Sequence, residues 1–512
     1  MRSSPNDLLD ICANLLPMRL LVAKICFRAL TRVSALPVNH PLHLVAIRSA
    51  AAFPRVHRTP LHYLYRLFPE AAPQHSEYIV PMRYDPAHLK PTFTTHIAKS
   101  REESHREDED MDSVIRVYSD GSGYNGYAGA AAVLIRTDGV HEQRRVLRYR
   151  LGPLTEHTVY EAEAVGVLLG AHLLHTEEPE HASKPSSISL DNQAVIRATE
   201  HCTKAQPGHY LLDLFRDSAD RLLQKRRLGY SLAVRWISGH DDAEFNEYVD
   251  GQAKIAADGR SSVKTDLPHC LRTPLRASVS ALRQEYARRL KERWQRDWCM
   301  SPRYHRHCHW APDATSPRHI AITNELSRRD STVLFQLRSG HAPLNAHLHR
   351  INCAPAPTCE ACEEADETVN HFIYDCPARL SERRQLRKAA GKKWADRSYL
   401  LGETRGVKAL MAYVRQTGRL RWGRRQDSEG RPEERTGPWG LDRRRDETGR
   451  EEERLEDDDS MEVERLVEDE DEEDEGGGLD MAGFMRWYEG FIGDRGEGGE
   501  TQRERDAATD AD

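Results

Sequence analysis

Four acidic side chains in the middle of this chain stand where carboxylates can do metal chemistry. Asp120 ends a β-branched strand run and is followed by Gly-Ser, so its side chain should project at a strand end. Glu163 lies within the first turn or so of an apolar helix, beside Ala162, Ala164 and Val165. Asp191 follows directly on the short apolar strand SISL, and Asp250 sits one turn into the helix NEYVDGQAKIA. A carboxylate on an apolar helix face is costly unless it is paired or metal-bound. Several carboxylates converging on one sheet edge would also repel one another, and a pair of divalent cations relieves both costs. Singly, each acid has an ordinary alternative: Asp120 as a turn residue, Asp191 as a helix cap, Asp250 as a solvated helix acid. Glu161 competes with Glu163 for the helix position, although residues two apart on a helix face differently.

A second constellation is Cys359-x2-Cys362-x8-His371-x4-Cys376. Two closely spaced cysteines followed by His and Cys have the ligand types of a structural zinc site, closed and without a catalytic position. The competing reading is three buried cysteines and a histidine. His305, His307, Cys308 and His309 also cluster, but HRHCHW lacks paired loop spacing and reads as a basic loop.

The elements that must position the acids alternate over residues 112–259. SVIRVY, AGAAAVLIR and His141–Leu151 read as three strands, the last two joined by a turn at Thr137-Asp-Gly. A long apolar helix at Tyr160–His175, the strand SISL, helices at Asn192–Glu200 and Tyr210–Arg226, a strand at Tyr230–Trp236 and a closing helix at Asn246–Ala257 follow. The order implies a mixed sheet with helices packed on it, an α/β architecture.

VYSDGS, TVYEAEAVG, SLDNQAVI and WISGHDDAEFNEYVDGQAKIA resemble, in order, the four signature blocks of type 1 ribonucleases H. The resemblance covers about 150 residues. It implies a ribonuclease H-like five-stranded mixed sheet flanked by helices, with its first three strands antiparallel. It implies Asp120, Glu163, Asp191 and Asp250 as ligands of two Mg2+ (or Mn2+) ions, and favours Glu163 over Glu161. It makes His240, on a loop near the metals, a catalytic residue that moves protons or releases product. Many family members have Pro where this chain has Ser238. The implied activity is endonucleolytic hydrolysis of the RNA strand of an RNA–DNA hybrid (a ribonuclease H), leaving 5′-phosphate and 3′-hydroxyl ends. The basic insertion of longer members is absent, since residues 204–208 (KAQPG) lead straight into the next helix. Flanking segments would then share the grip on the hybrid.

The stretch LFQLRSGHAPLNAHLHRI and the cysteine cluster after it resemble the C-terminal zinc-binding region of non-LTR retrotransposon reverse transcriptases. Residues 6–45 resemble the segment that follows the polymerase core in fungal elements of this kind. No Tyr-x-Asp-Asp polymerase motif occurs. The chain therefore resembles the 3′ portion of a retrotransposon polyprotein, whose reverse transcriptase would act in trans. A catalytically silent nucleic-acid-binding remnant is the alternative. The intact acid set favours the enzyme.

Composition sets the frame. The 512 residues allow two to four domains. The net charge of −7 divides into about +8 over residues 1–400 and about −15 beyond them. The expected divisions are a helical segment at 1–69, a linker at 70–111, the nuclease domain at 112–259, a basic helical connector at 260–319, a helical zinc-binding region at 320–402 and an acidic, mostly disordered tail at 423–512. The tail includes the run Glu468–Glu475 and a short aromatic island from Phe484 to Phe491. The apolar stretch Leu8–Leu30 is broken by Asp10, Arg19, Lys24 and Arg28, so it is no membrane span. Scattered cysteines and no secretory signal lead to the expectation of an intracellular location, cytoplasm or nucleus.

Overall fold

The computed structural model describes residues 5–80, 91–110, 115–137, 142–177, 185–200, 205–225, 230–239 and 244–420. His240, the turn at residues 138–139 and the acidic tail lie outside the described residues. The chain divides into two compact units, residues 1–411 and 412–512, and the second is described only as far as residue 420.

Four helices come first: α1 (Asn6–Ala13), α2 (Met18–Ser34), α3 (Pro41–Ala51) and α4 (Pro60–Leu67). The sheet region follows with β1 (Thr94–His96), α5 (Arg101–Glu109), β2 (Ile115–Tyr124), β3 (Tyr127–Thr137), β4 (Glu142–Pro153), α6 (Val159–His175), β5 (Ser186–Leu190), α7 (Gln193–Glu200), α8 (His209–Lys225), β6 (Leu232–Trp236) and α9 (Glu244–Ala257). Helices complete the described chain: α10 (Val279–Met300), α11 (Tyr304–His307), α12 (Arg318–Asn324), α13 (Arg328–Ser339), α14 (Asn345–Arg350), α15 (Leu380–Ala390), α16 (Arg397–Gly402) and α17 (Thr404–Thr417). No helix among the described residues is long and apolar enough to cross a membrane.

The sheet has six strands in the order β1-β6-β5-β2-β3-β4, not the expected five. The β2-β3-β4 portion is antiparallel, and β2-β5, β5-β6 and β1-β6 pair in parallel. The extra strand comes from the stretch read as a linker, where Thr94 to His96 pair with Ala233 to Arg235. The charged helix α5 belongs to the same stretch and docks through polar groups. The Tyr118 hydroxyl donates to Asp108 at 2.7 Å, and Arg235 pairs with Glu107 at 2.7 Å.

Strand alternation sorts the apolar residues to two faces. Val117, Ala130, Ala132 and Leu134 join α6 and α8 in one core, while Tyr118, Ala131, Val133 and Ile135 meet Val249 and Ala253 of α9 on the other face. β4 forms an edge of the sheet and carries Arg144, Arg145, Arg148 and Arg150. Its outer side is met by the chain after α9: Ser262 N–H donates to the Arg148 carbonyl at 2.9 Å, and the Arg148 and Arg150 N–H groups donate to Ser262 Oγ and Ser261 Oγ at 3.0 and 2.9 Å.

Phe93, Leu267 and Leu271, outside the expected domain limits, sit in the larger core. A fragment of residues 112–259 loses all three together with β1. At about 2 kcal/mol for each buried side chain, it should melt roughly 15 °C below a fragment of residues 91–272. Thermal denaturation followed by circular dichroism checks this, and equal melting points would show that the added segments contribute nothing.

Residues 5–69 are held by α10. Phe27 stacks on Tyr286 with ring centroids 4.1 Å apart, and Phe68 meets both rings edge-on. Arg283 donates to Thr31 Oγ1 at 3.0 Å, and Asp7 accepts from Ser301 at 2.7 Å. HRHCHW is not the basic loop its composition suggests. Its first residues form α11, and His307 is buried against Trp298 and Trp310.

Burial holds His307, His309 and His319 down to about 4, and the nearby Arg397, Arg318 and Arg338 push the same way. The unfolded chain, with histidines near 6.5, takes up protons first. These groups therefore cost no stability above pH 6.5 and an increasing amount as pH falls toward 4. The raised Asp120 and Glu163 carboxyls act in the opposite sense, so the histidine contribution is read by difference: on going from pH 7.5 to pH 5, His319→Gln should lose less melting temperature than the native chain. The same pH-dependent change in both proteins would contradict this.

Candidate active site and cysteine–histidine centre

Asp120 is not at a strand end. β2 runs four residues further to a tight turn in which Asn125 and Gly126 both take positive φ, 49° and 81°. That is the two-residue hairpin geometry Asn-Gly favours. What frees Asp120 is its other neighbour. β5 pairs with β2 only as far as Tyr118↔Ser189, so Asp120 lies past the end of that ladder. Asp191 follows β5 in the same parallel register and arrives alongside. The Trp236 indole N–H holds the Asp191 carbonyl at 2.9 Å.

Glu163 reaches the pair because α6 touches β2. A Cβ on Gly121 would lie 2.2 Å from the Glu163 amide nitrogen, so only glycine permits this approach. Glu161 is spent on the helix start. Its N–H donates to Thr158 Oγ1 at 3.2 Å, and its carboxylate accepts from the Thr158 N–H at 2.8 Å, a reciprocal cap.

Asp120, Glu163 and Asp191 each offer a carboxylate oxygen within 4.8 Å of the others. Burial, then the Asp191 and Asp250 charges, push the Asp120 carboxyl up to about 7. Burial, then Asp120 and Asp191, push Glu163 up as well, and Glu163 Oε2 is buried without a hydrogen-bond partner among the described residues. Asp250 stands outside this trio and is paired with Lys254 at 2.7 Å, although its charge reaches Asp120. Lys254, Gly121 and Trp236 were not singled out from sequence. The spacing from Asp250 to Lys254, one helical turn, is the signal that could have found the lysine. An orphaned buried carboxylate oxygen and mutual repulsion in an all-oxygen donor set fit hard divalent cations such as Mg2+ or Mn2+.

Cys359, Cys362, His371 and Cys376 likewise bring one donor atom each to within 4.8 Å of one another. Cys359 and Cys362 lie in a small turn closed by the Thr358↔Asp366 bridge and by the Cys359 N–H on the Ala365 carbonyl at 2.8 Å. His371 opens a π-helical turn, His371–Asp375, that leads to Cys376. The Cys359 and Cys376 sulfurs are 3.9 Å apart, and Cys362 Sγ is 3.4 Å from His371 Nε2. Two sulfurs each ~2.3 Å from one tetrahedral ion would be ~3.8 Å apart, so the donors fit zinc. The backbone N–H of Glu364 leads the groups that hold the Cys362 thiol below its usual range.

No family model matches the chain, and no curated protein matches it. Among solved structures, ribonuclease H1 from the archaeon Halobacterium salinarum NRC-1 is 19% identical, over 28% of this chain and 98% of that one, with a TM-score of 0.21. The N-terminal ribonuclease H domain of a Mycobacterium tuberculosis protein is 19% identical over 28% and 93%, at 0.20. LC11 ribonuclease H1 in complex with an RNA/DNA hybrid is 18% identical over 28% and 96%, at 0.22.

Proposed function

We propose that this chain is a ribonuclease H, hydrolysing the RNA strand of RNA–DNA hybrids at Asp120, Glu163, Asp191 and Asp250. The observation that carries this is the trio of carboxylates on β2, on α6 and just after β5, two of them driven up by burial and mutual repulsion. Such a cluster is costly as it stands and becomes favourable once cations share it. Two bound Mg2+ ions would acidify an attacking water and stabilise the leaving 3′ oxygen. Asp120, within β2 past the end of its ladder with β5, and Asp191, just after β5, would hold the ions from adjacent strands, and Glu163 from the helix start. Asp250 would complete the ligand set, and the Lys254 ammonium pairs its charge at Oδ2 in the metal-free chain. His240 would move the proton to or from the reacting oxygens. The RNA strand would be read through its 2′-hydroxyls, with weak sequence preference.

The wider reading is a retrotransposon-derived protein, with a reverse transcriptase supplied in trans and a structural zinc ion at the Cys359 centre. The test is incubation of the full chain with a labelled hybrid, duplex DNA and duplex RNA in Mg2+ or Mn2+. Cutting confined to the RNA of the hybrid supports the proposal. Binding of the hybrid with no cutting under either metal leaves the silent nucleic-acid-binding reading in its place.

A further inference from the structure

Beside the cysteine–histidine centre, three separate segments close around a cavity of about 260 Å³. One wall is the turn from Gly340 to Leu344 that ends α13, another is α14 with His347 and Arg350, and the third is Thr368–Asn370 leading into His371. Arg397, at the start of α16, adds a second guanidinium. Neither arginine is ion-paired among the described residues, and the only carboxylate in the lining, Glu367, is already engaged by the Asn345 N–H at 2.9 Å. The rings of His341 and His347 lie stacked, 4.9 Å between centroids and 14° between planes. Arg350 Nη2 donates to His347 Nδ1 at 2.7 Å, which fixes that ring as an acceptor on this side. Burial lowers both imidazoles from 6.5, Arg350 adding to this, so His347, the one of the two that lines the cavity, is a neutral flat ring at pH 7 rather than a charge.

We propose that this cavity binds one nucleotide of a single-stranded nucleic acid, a base against the His347 imidazole and its phosphate between Arg350 and Arg397. The combination is that of a single-strand site: unpaired cations that track a backbone, and a flat ring that accepts any base. The volume lies under the ~300–1,000 Å³ of drug-sized pockets, so it suits a single splayed nucleotide rather than a duplex. The inference extends the hybrid-nuclease reading by giving the chain a second contact, to a strand running out of the hybrid.

The test uses the full chain, without added magnesium so that nothing is cut, and fluorescence anisotropy. One probe is a blunt RNA–DNA hybrid, and the other is the same hybrid with a single-stranded extension of about eight nucleotides, within the footprint of small single-strand modules. The native chain should bind the extended probe about tenfold more tightly, consistent with one stacked base and a phosphate contact. Arg350→Glu combined with Arg397→Glu should abolish that advantage while blunt-hybrid affinity, zinc content and melting temperature stay as they were. His347→Ala should remove most of it. Equal binding of both probes by the native chain, or an advantage that survives the double charge reversal, overturns the proposal. Because the comparison reads binding, it stands apart from whether the carboxylate site cuts.

Discussion

Asp191→Asn should lower hybrid cleavage by about three orders of magnitude, a loss of ~4 kcal/mol of transition-state stabilisation, while the fold persists. The side chain keeps its shape and loses its charge, and Asp191 is one of three carboxylates that share the site. The same substitution removes a charge that pushes up both Asp120 and Glu163, so the metal-free variant should melt above the native chain. Magnesium should then raise its melting point less than it raises that of the native protein. Initial rates on a labelled hybrid, with melts with and without Mg2+, check both statements. A native cleavage rate in the variant would remove Asp191 from the site.

Loss of metal from the cysteine–histidine centre should act as strongly on stability. Structural zinc contributes roughly 10–16 kcal/mol in isolated modules, as much as the whole stability of an ordinary domain. The purified protein should hold about one zinc per chain, and Cys362→Ser should lower that content. On chelation, hydrogen exchange should rise sharply over residues 340–385 and remain low across β2 and α6. A zinc-free protein, or one whose exchange over 340–385 ignores chelation, would return the three cysteines and the histidine to ordinary core residues.

Elements with strong periodicity were legible from the sequence almost to the residue. The helix expected at Tyr160–His175 is Val159–His175, and the strand SISL is Ser186–Leu190. The elements missed are those whose stability is not apolar. α5, REESHREDE, is capped by Ser100 and held by hydrogen bonds from the sheet to Asp108 and Glu107 and from the Ser238 N–H, just past β6, to Ser104, so its composition reads as linker. β1 has only three residues and exists through its pairing with β6. Two short motifs could have been read further. Asn125-Gly126 announces the hairpin that carries β2 past Asp120, and Thr158-x-x-Glu161 announces the cap that leaves Glu163 for the site. The meeting of Asp120 with Asp191 depends on a parallel register between segments some seventy residues apart. Local pattern does not carry that, and only the resemblance implied it. In HRHCHW the burial of His307 follows from Trp298 and Trp310, which the local spacing does not reveal.

The serines that meet β4 bear on how this chain behaves among copies of itself. An edge strand of twelve residues is a template for any other extended chain. Here Ser261 and Ser262 occupy its backbone groups at Arg148 and Arg150, and its four arginines outnumber the Glu142 and Glu177 carboxylates that pair with Arg144 and Arg145, so the edge stays net positive and repels a second identical one. A chain ending at residue 259 keeps the arginines but gives up that cover. Its self-association should therefore be governed by salt: monomeric in dilute buffer, where like charges hold edges apart, and pairing into oligomers as ionic strength screens them. The intact chain, with its edge already engaged, should sediment as the same species at both salt concentrations.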